Sequence, residues 1–193
     1  MIYLCRHGQT RFNAVRRYQG QVDSPLTELG RAQASAMGRA LRPLVGEGLR
    51  VWASPLGRAQ ESLGLILAEI GPRPVTTDAR LMEVAMGAWD GLDETEIEAE
   101  YPGARDGLPP GEWFFHGPGG ETFAMFRDRL AGVLAEIAGD PAPVKLVVAH
   151  GVVSRVMRGL HAGLGKREML TGATPQDGFH ALAPGGEVRL VAC

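Results

Sequence analysis

The stretch Ile2-Tyr3-Leu4-Cys5-Arg6-His7-Gly8 begins with four hydrophobic residues and then changes to arginine, histidine and glycine. A short apolar run bounded by turn residues is typical of a buried β-strand. Lys145 to Ala149 is a second run of this kind, and His150-Gly151 follows it directly. The sequence therefore predicts two buried strands, each of which ends at a histidine followed by a glycine.

Segments with a helical spacing of small and apolar residues separate the predicted strands. Thr27 to Leu41 is predicted to form a helix with Thr27 as its N-cap. The residues expected on the apolar face of this helix are Leu29, Ala32, Ala36 and Ala40. A short strand at Val51 to Ala53 follows, after which Ser54 is predicted to cap a second helix that has Pro55 in its first position.

The second half of the chain continues this alternation after a long irregular segment. Residues 101–120 are rich in glycine and proline and are predicted to form a loop, and loops of such length are usually functional or mobile. The other expected elements are a strand at Val75 to Thr77, helices from about Glu121 to Ala138 and through Val156, and a closing hairpin of Phe179 to Leu182 with Glu187 to Val191. Strands that alternate with helices predict an α/β fold with a largely parallel sheet.

In such a fold, ligands bind beyond the carboxyl ends of the strands. Three segments follow predicted strands directly: Arg6-His7-Gly8, Ser54 to Arg58 and His150-Gly151. Each segment contains a basic or imidazole side chain, so we expect four such groups to meet in one site. They are Arg6, His7, Arg58 and His150.

Two arginines and two histidines in one site suit a phosphate group. The planar guanidinium group binds phosphate oxygens in pairs and stays charged at any working pH. A histidine whose second ring nitrogen donates to a backbone carbonyl keeps the first nitrogen free to attack phosphorus. The leaving oxygen needs a proton, and Glu83 is the best candidate donor because Gly87 and Gly91 would let the backbone approach a pocket.

The composition of the chain limits the classes of function that it can have. Its 193 residues suit one domain, and its 45% hydrophobic and 22% charged residues are ordinary for a globular protein. A formal net charge of -2 gives no basis for nucleic-acid binding. No apolar run approaches the roughly 20 residues of a membrane span, and the N-terminus lacks the pattern of a secretory signal.

Cysteine and metal-ligand spacing indicate a cytoplasmic protein that works without a cofactor. Cys5 and Cys193 stand at opposite ends of the chain and form neither a metal-ligand spacing nor a disulfide framework. No cluster of histidine, aspartate and glutamate has the spacing of a helical metal site, and no Walker sequence is present. We therefore expect no cofactor, no metal, no nucleic acid and no membrane among its partners.

Several segments of the chain resemble, in order, those of the histidine phosphatase superfamily, the phosphoglycerate mutase-like group. The first is Leu4-Cys5-Arg6-His7-Gly8-Gln9-Thr10 with Asn13, which resembles the signature of that family. The others are Gln19-Gly20 with Asp23-Ser24-Pro25-Leu26-Thr27 and Gly30, Ser54-Pro55-Leu56-Gly57-Arg58-Ala59, Leu81-Met82-Glu83 through Gly91, Gly119-Gly120-Glu121-Thr122, and Val147-Val148-Ala149-His150-Gly151. Together they cover most of the chain, which makes the resemblance specific.

The resemblance implies a phosphoglycerate mutase-like fold, a three-layer α/β/α sandwich with a largely parallel mixed sheet. It implies a single domain over residues 1–193, with about 101–120 as a variable loop near the active site. It also implies that His7 becomes a phosphohistidine and that Glu83 protonates the leaving group and then activates water. The groups implied to bind the phosphoryl group are Arg6, Arg58 and His150. The residues implied to line the phosphate end of the pocket are Asn13, Gln19, Gly20 and Gly151.

The family contains phosphatases and mutases, and the residues after Glu83 favour a phosphatase. The mutases carry the run Glu-Arg-His-Tyr-Gly at this point, whereas the run here is Glu83-Val84-Ala85-Met86-Gly87. A wall without arginine or histidine would hold a small triply charged acid poorly, so water is the expected acceptor. Trp89 and Asp90 also resemble the phosphatase branch. A phosphoglycerate mutase and a non-catalytic phospho-ligand binding protein are the alternatives.

The expected substrate is a small phosphate ester, and a homodimer is compatible with the sequence. Sugar phosphates, nucleotide-like phosphates and phosphoproteins all stay open. Specificity is expected to lie in residues 101–120 and around Arg16, Arg17 and Tyr18, where the two arginines either bind a second phosphate or carboxylate or are solvated. Of the remaining histidines, which are His116, His161 and His180, only the first lies in the variable loop, and its contact with substrate is open.

Overall fold

The computed structural model describes all 193 residues, Met1–Cys193. Its strands are β1 (Ile2–Arg6), β2 (Arg50–Ala53), β3 (Val75–Thr77), β4 (Lys145–Ala149), β5 (Gly178–Leu182) and β6 (Val188–Ala192). Its α-helices are α1 (Arg11–Ala14), α2 (Glu28–Leu41), α3 (Gly57–Ile70), α4 (Glu94–Glu100), α5 (Phe123–Gly139), α6 (Gly151–Ala162) and α7 (Lys166–Thr171). None of these helices combines the length and the apolar composition that crossing a membrane would require.

The six strands form one sheet in the order β3-β2-β4-β1-β5-β6. The first four strands of the chain are parallel to one another, whereas β5 runs antiparallel to β1 and also to β6, with which it forms the predicted closing hairpin. Arg6 at the end of β1 lies opposite Ala149 at the end of β4. The carboxyl ends of these two central strands are therefore level, so His7 and His150 emerge at the same edge of the sheet.

Helices cover both faces of the sheet, which confirms the predicted α/β sandwich. Alternate residues of β1 point to opposite faces, as the pleat of a strand requires. Leu4 packs in a core cluster with residues of α5 and α6, whereas Cys5 packs in a second cluster with residues of α2 and α3. The two clusters contain 21 and 16 buried residues, so each face of the sheet has a substantial core.

Helix α2 begins after its predicted N-cap, Thr27, but of its predicted apolar face only Ala36 and Ala40 are half-buried, and Ala40 packs against the core. Leu29 and Ala32 are exposed. The buried residues of the helix are Gly30, Ala34, Met37, Gly38 and Leu41. A Cβ on Gly38 would lie 2.8 Å from Cβ of Glu69 in α3. Two helices approach closely here, so a small residue is required at the contact. A pattern of apolar residues alone does not predict such a contact.

The start of α3 also differs from the prediction, because Ser54 does not cap it. The N-cap residue is Leu56, and the helix begins at the next residue. The Ser54 hydroxyl accepts the backbone N–H of Leu56 at 3.3 Å and lies 2.7 Å from Nε2 of His150. Asp23 instead accepts the backbone N–H of Arg58 at 3.3 Å in the first turn of the helix.

Residues 101–120 form the predicted long loop, with no α-helix or strand. One short 3-10 turn, Trp113–Phe115, lies within it, and its three aromatic side chains pack partly buried against the core that contains α5. The ring centroid of Trp113 lies 4.5 Å from that of Tyr18 and 4.0 Å from that of Phe114. Aromatic packing therefore anchors the loop.

The turn after β1 lies directly against α2 through two glycines. A Cβ on Gly8 would lie 2.1 Å from the carbonyl oxygen of Gly30, and a Cβ on Gly30 would lie 2.0 Å from the carbonyl oxygen of Gln9. Such separations are far shorter than any contact between packed atoms, so neither position has room for a side chain. This contact sets the distance between α2 and the segment that carries His7.

We expect Gly30→Ala to lower the free energy of unfolding by about 2 kcal/mol or more, because overpacking forces the two backbone segments apart. Gly64 of α3 is a matched control, because it is exposed and an added Cβ would meet nothing within 4 Å. Gly64→Ala should raise the free energy of unfolding by roughly 0.5–1 kcal/mol, because glycine is a poor helix former. Urea unfolding of both variants measures the difference, and equal effects would contradict the packing account.

Candidate active site

Two histidine rings lie together at the carboxyl edge of the sheet. His7 follows β1, and its backbone N–H donates to the carbonyl oxygen of Ala149, the last residue of β4, at 3.0 Å. His150 follows β4, and its ring centroid lies 5.3 Å from that of His7. Both side chains are buried. The level ends of two parallel strands thus bring together two imidazoles that are far apart in the chain.

A backbone hydrogen bond holds the ring of His7 in one tautomer. Nδ1 lies 2.8 Å from the carbonyl oxygen of Gly8, which can only accept, so Nδ1 carries the proton and Nε2 keeps a free lone pair. Burial lowers the pKa of His7 well below its ordinary value, and the charges of Arg6 and Arg58 lower it further. The ring is therefore neutral at physiological pH, which is the form in which Nε2 is nucleophilic.

The ring of His150 presents a proton donor at the same edge. Nε2 of His150 lies 2.7 Å from the Ser54 hydroxyl, and we assign the tautomer in which this hydroxyl donates its proton to Nε2. Burial lowers the pKa of His150 well below its ordinary value, and the charge of Arg58 adds to this effect. A neutral ring that accepts at Nε2 carries its proton on Nδ1. That Nδ1 atom is buried and has no partner in the protein.

The guanidinium group of Arg58, in the first turn of α3, is buried and anchored on one side. Nη1 donates to the carbonyl oxygen of Val22 at 2.9 Å and to Oδ1 of Asp23 at 3.0 Å, and Nη2 donates to the carbonyl oxygen of Gly20 at 2.7 Å. Burial lowers the pKa of Arg58, and the negative charge of Glu83 offsets part of this effect. Nε is buried without a partner and is the free donor of the group.

The guanidinium group of Arg6 is anchored in the same manner. Nη1 donates to the carbonyl oxygen of Thr174 at 3.0 Å, whereas Nε is buried without a partner. Burial lowers the pKa of Arg6 to about 10, which leaves the group charged at neutral pH. A Cβ on Gly151 would lie 3.4 Å from Nε, so the guanidinium group packs against the first residue of α6.

Three buried N–H donors around His7 thus lack an acceptor within the protein: Arg6 Nε, Arg58 Nε and His150 Nδ1. Unpartnered buried donors are rare in folded proteins, because each one costs about 1–3 kcal/mol. Two fixed positive charges and a neutral donor beside a neutral nucleophile match the oxygens of a phosphoryl group during transfer. The arrangement therefore suits transfer of a phosphoryl group to Nε2 of His7.

The site opens into a cavity of about 210 Å³. Every residue predicted for the site lines this cavity except His150, which lies beside His7. The predicted residues that line it are Arg6, His7, Asn13, Gln19, Gly20, Arg58, Glu83 and Gly151. No group of three or more histidine, cysteine, aspartate or glutamate side chains is arranged to hold a metal ion.

Polar groups on the segment after β1 form one wall of the cavity. Oδ1 of Asn13 accepts from Nε2 of Gln176 at 3.0 Å, and Oε1 of Gln19 is buried without a partner. Gly20 has a positive φ of 51°, and a Cβ there would overlap Oδ1 of Asp90. Only glycine fits at this position. This wall therefore presents side-chain amides and the backbone of a glycine to the cavity.

The carboxylate of Glu83 lies at the beginning of α6. It accepts the backbone N–H groups of Val152 at 3.1 Å and Val153 at 3.3 Å, and also that of the residue that follows Glu83 at 3.1 Å. The first two donors belong to the first turn of α6, so the carboxylate interacts with the positive end of the helix. Its charge also acts on Arg6 and Arg58. Glu83 is the only acidic residue among those that line the cavity.

Sequence reasoning missed some residues of the cavity, above all Arg155. This residue lies on α6 one turn after Gly151, and its Nε donates to the carbonyl oxygen of Gly172 at 2.9 Å. Its guanidinium carbon lies 5.8 Å from the ring centroid of Phe114, which the long loop brings into the cavity wall. Arg155 follows Gly151 by four residues, so both lie on the same face of α6, and this spacing could have identified Arg155. Thr174 lies in an irregular segment that no pattern places.

The structure shows the surroundings of the three residues whose roles the sequence left open, and of one further histidine. Arg17 lines the cavity, but its guanidinium group donates to Glu96 at 2.6 and 2.8 Å and is held in an ion pair. Arg16 is exposed and has a positive φ of 57°. His116 is exposed and lies outside the cavity lining. His161 is bonded to a backbone carbonyl oxygen at 2.7 Å, which fits a structural role.

The chain matches one protein family over nearly its whole length. Residues 2–179 match the sequence profile of the histidine phosphatase superfamily (branch 1). The glucosyl-3-phosphoglycerate phosphatase of Mycolicibacterium vanbaalenii is 34% identical over 169 residues, which cover 82% of this chain and 73% of that protein. The probable phosphoglycerate mutase GpmB of Salmonella paratyphi C is 36% identical over 152 residues, which cover 78% of this chain and 69% of that protein.

The fold is also shared with a solved structure. A mycobacterial glucosyl-3-phosphoglycerate phosphatase in complex with VO3 superposes with a TM-score of 0.81 at 28% sequence identity. The superposition covers 99% of this chain and 96% of that protein. The similarity therefore extends over the whole sheet and all the helices that carry the site.

The buried neutral histidines make the stability of the fold depend on pH. Unfolded histidine binds a proton below about pH 6.5, whereas burial and the neighbouring arginines hold the pKa of His7 well below that value in the folded state. The unfolded state therefore binds more protons as the pH falls below 6.5. Stability must fall in the same direction, by up to about 1.4 kcal/mol per pH unit for each such histidine.

We expect the free energy of unfolding to fall less steeply between pH 6.5 and 5 in His7→Gln than in the wild type. The difference in slope should approach about 1.4 kcal/mol per pH unit. Urea unfolding at a series of pH values measures both slopes. His116→Gln is the control, because its side chain is exposed, and it should keep the wild-type slope. An unchanged slope in His7→Gln would show that the buried ring is protonated in the folded state.

Proposed function

The chain belongs to the histidine phosphatase superfamily, and from that premise we propose that it hydrolyses small phosphate monoesters through a phosphohistidine formed at His7. One observation carries the proposal. The side chains around the neutral His7 ring offer three buried donors that have no acceptor in the protein, on Arg6, Arg58 and His150. The oxygens of a phosphoryl group on Nε2 would accept from these donors.

The reaction proceeds in two displacements at phosphorus. In the first, Nε2 of His7 forms a bond to phosphorus as the bond to the ester oxygen breaks, and that oxygen takes a proton from the carboxyl group of Glu83. In the second, water forms the new bond to phosphorus as the phosphorus–nitrogen bond breaks, and Glu83 accepts a proton from the water. Glu83 is the only acidic residue of the cavity lining, so both proton transfers fall to it.

The two arginines and His150 stabilise the charge on the transferring group. The arginine donors are fixed before the ligand arrives, because Nη1 of Arg6 and both Nη atoms of Arg58 are bonded to backbone carbonyls. Donors that need no reorganisation during the reaction are the most effective electrostatic catalysts. Because the two arginines supply the positive field and His150 adds a neutral donor, we propose that the reaction needs no metal ion.

The alcohol part of the substrate occupies the outer cavity. Tyr18, Val84, Met86 and Phe114 supply its apolar surface, and Arg155 is its cation apart from Arg17, which is paired with Glu96. A volume of about 210 Å³ suits a small metabolite. The two cysteines are free, which favours a reducing compartment such as the cytoplasm.

A phosphoglycerate mutase is the second candidate, and Arg155 is the observation in its favour. Its guanidinium group lines the outer cavity, where it could bind the carboxylate of a phosphoglycerate. Against this candidate, the wall next to Glu83 consists of Val84 and Met86. One arginine holds the dephosphorylated acid weakly, so water reaches the phosphohistidine before the acid can take the phosphoryl group back.

His7→Ala should lower the phosphatase activity by at least about a thousandfold, because the variant lacks the nucleophile. Quenching at alkaline pH with a ³²P-labelled ester should trap an acid-labile phosphoenzyme in the wild type and none in the variant. His116→Ala is the control and should retain full activity, because its side chain lies outside the cavity. Unchanged activity in His7→Ala would remove the proposed mechanism.

Product analysis separates the two candidate functions. Incubation with 3-phosphoglycerate should release inorganic phosphate, and addition of EDTA should not slow the release. Formation of 2-phosphoglycerate faster than inorganic phosphate would instead establish a mutase. Phosphate release across a panel of sugar, nucleotide and carboxylic-acid phosphates then ranks the substrates.

A further inference from the structure

The segment that carries Glu83 has little regular structure of its own. Between β3, which ends at Thr77, and α4, which begins at Glu94, it contains only two short 3-10 turns, Ala79–Leu81 and Gly87–Trp89. A catalytic group must be held within about 0.5 Å of its productive position. Neither a sheet ladder nor an α-helix fixes the backbone here, so other groups must do so.

Arg129 of α5 supplies hydrogen bonds to this segment. Its Nη1 donates to the carbonyl oxygens of Arg80 and Met82, the latter at 2.9 Å. Its Nη2 donates to the carbonyl oxygen of Glu83 itself at 3.1 Å. One guanidinium group therefore holds the backbone at the acid and at two positions just before it.

Glu121 holds the segment on the other side of the acid. Its Oε2 accepts the backbone N–H of Ala85 at 2.9 Å, and its own backbone N–H donates to the carbonyl oxygen of Ala85 at 2.8 Å. The Glu121 carboxylate also accepts from Nε of Arg129 at 2.7 Å and from Nη2 at 2.8 Å. The two side chains thus form one unit that contacts the backbone on both sides of Glu83.

The geometry uses the full donor capacity of the guanidinium group. Two of its five N–H donors go to the Glu121 carboxylate and three to backbone carbonyls. Lysine has three donors on one nitrogen and cannot reproduce this pattern. The side chains of Arg129 and Glu121 are only 18% and 15% exposed, so water competes weakly for these hydrogen bonds.

We propose that Arg129, acting with Glu121, is a positioning residue that holds Glu83 where it can protonate the leaving oxygen. The proposal rests on the role given above to Glu83. Arg129 does not line the cavity, and its hydrogen bonds reach the site only through the segment that carries the acid. Its loss should therefore impair the proton transfer and leave nucleophilic attack and phosphate binding largely intact.

The choice of substrate separates this role from a general structural one. An aryl ester such as p-nitrophenyl phosphate releases a weakly basic oxygen that needs little help from an acid, whereas an alkyl ester such as glycerol 2-phosphate releases a strongly basic one. A misplaced acid therefore lowers kcat/KM for the alkyl ester selectively. This quantity reports only the steps up to formation of the phosphohistidine, whereas the later attack by water, for which Glu83 is the base, is the same for both esters. A general loss of structure slows both esters alike.

Arg129→Met should lower kcat/KM for glycerol 2-phosphate by about 10- to 100-fold, as expected when a catalytic group is displaced by about an ångström. For p-nitrophenyl phosphate, kcat/KM should change less than about threefold, because its leaving oxygen needs little help from the acid and attack by His7 does not depend on it. Arg127→Met is the matched control on the same helix, because Arg127 is exposed and bonded only to its neighbour Asp128. The control should match the wild type on both esters.

Further variants connect the effect to Glu83. Glu83→Gln should show the same preference for the aryl ester, and the double variant Glu83→Gln/Arg129→Met should lose little more on the alkyl ester, because both changes remove one function. Arg129→Lys should restore only part of the activity. Glu121→Gln keeps the size of the side chain and tests the unit if Arg129→Met does not fold.

The positioning role would be overturned if Arg129→Met or Glu121→Gln lost equal activity on the two esters while Glu83→Gln lost activity selectively on the alkyl ester. That result would leave the proposed function intact. A Glu83→Gln variant without ester selectivity would instead show that Glu83 is not the acid, which overturns both. Selective loss in all three variants, with a melting temperature for Glu121→Gln close to that of the wild type, is the result that we expect.

Discussion

Two buried positive charges that face one small space determine how the rest of the site is built. Burial lowers the pKa of both Arg6 and Arg58, and the charge of Arg58 lowers the pKa of Arg6 further. Buried charges without partners are strongly unfavourable, so both guanidinium groups are bonded to backbone carbonyls, and Glu83 supplies a compensating negative charge. Burial lowers the pKa of His7 and His150, and the same positive field adds to this effect, so both rings are neutral.

The compensation is incomplete in a manner that suits a phosphoryl group. Each arginine keeps one buried nitrogen without a partner, and His150 adds a third. A dianionic ligand would satisfy these donors and reduce the repulsion between the arginines at the same time. The unpartnered donors and the repulsion between the arginines lower the stability of the free protein, and a bound phosphoryl group would remove both costs. Active sites commonly lower folding stability in this way.

The sequence predicts the parts of the site that depend on regular structure. The ends of β1 and β4 follow from apolar runs that stop at histidine and glycine, and parallel pairing then makes the approach of His7 and His150 unavoidable. Arg58 and Glu83 are different, because a lone arginine on a helix or a glutamate in a loop is ordinarily solvated, and their assignment rests mostly on the family resemblance. Residue patterning carries no information about such long-range irregular contacts.

The errors have the same origin. Ser54 looks like a helix cap in local sequence, but its hydroxyl is bonded to His150, 96 residues further along the chain. Helix α2 buries Gly30 and Gly38 while Leu29 is exposed, because at these glycines it packs against neighbours at backbone distance. Local sequence indicates the backbone conformation that a residue prefers. The residue with which it forms a hydrogen bond or packs can be far away in the chain and is known only from the folded structure.

The contact between Gly8 and Gly30 has a consequence for how robust the nucleophile is. With no side chain between them, the spacing of the two segments equals the thickness of two polypeptide backbones, a quantity that is the same in every protein. Repacking elsewhere in either hydrophobic core can change volumes and rotamers without altering that thickness. The position of His7 is therefore set by the dimensions of the backbone. Substitutions that accumulate in the surrounding core leave that position unchanged.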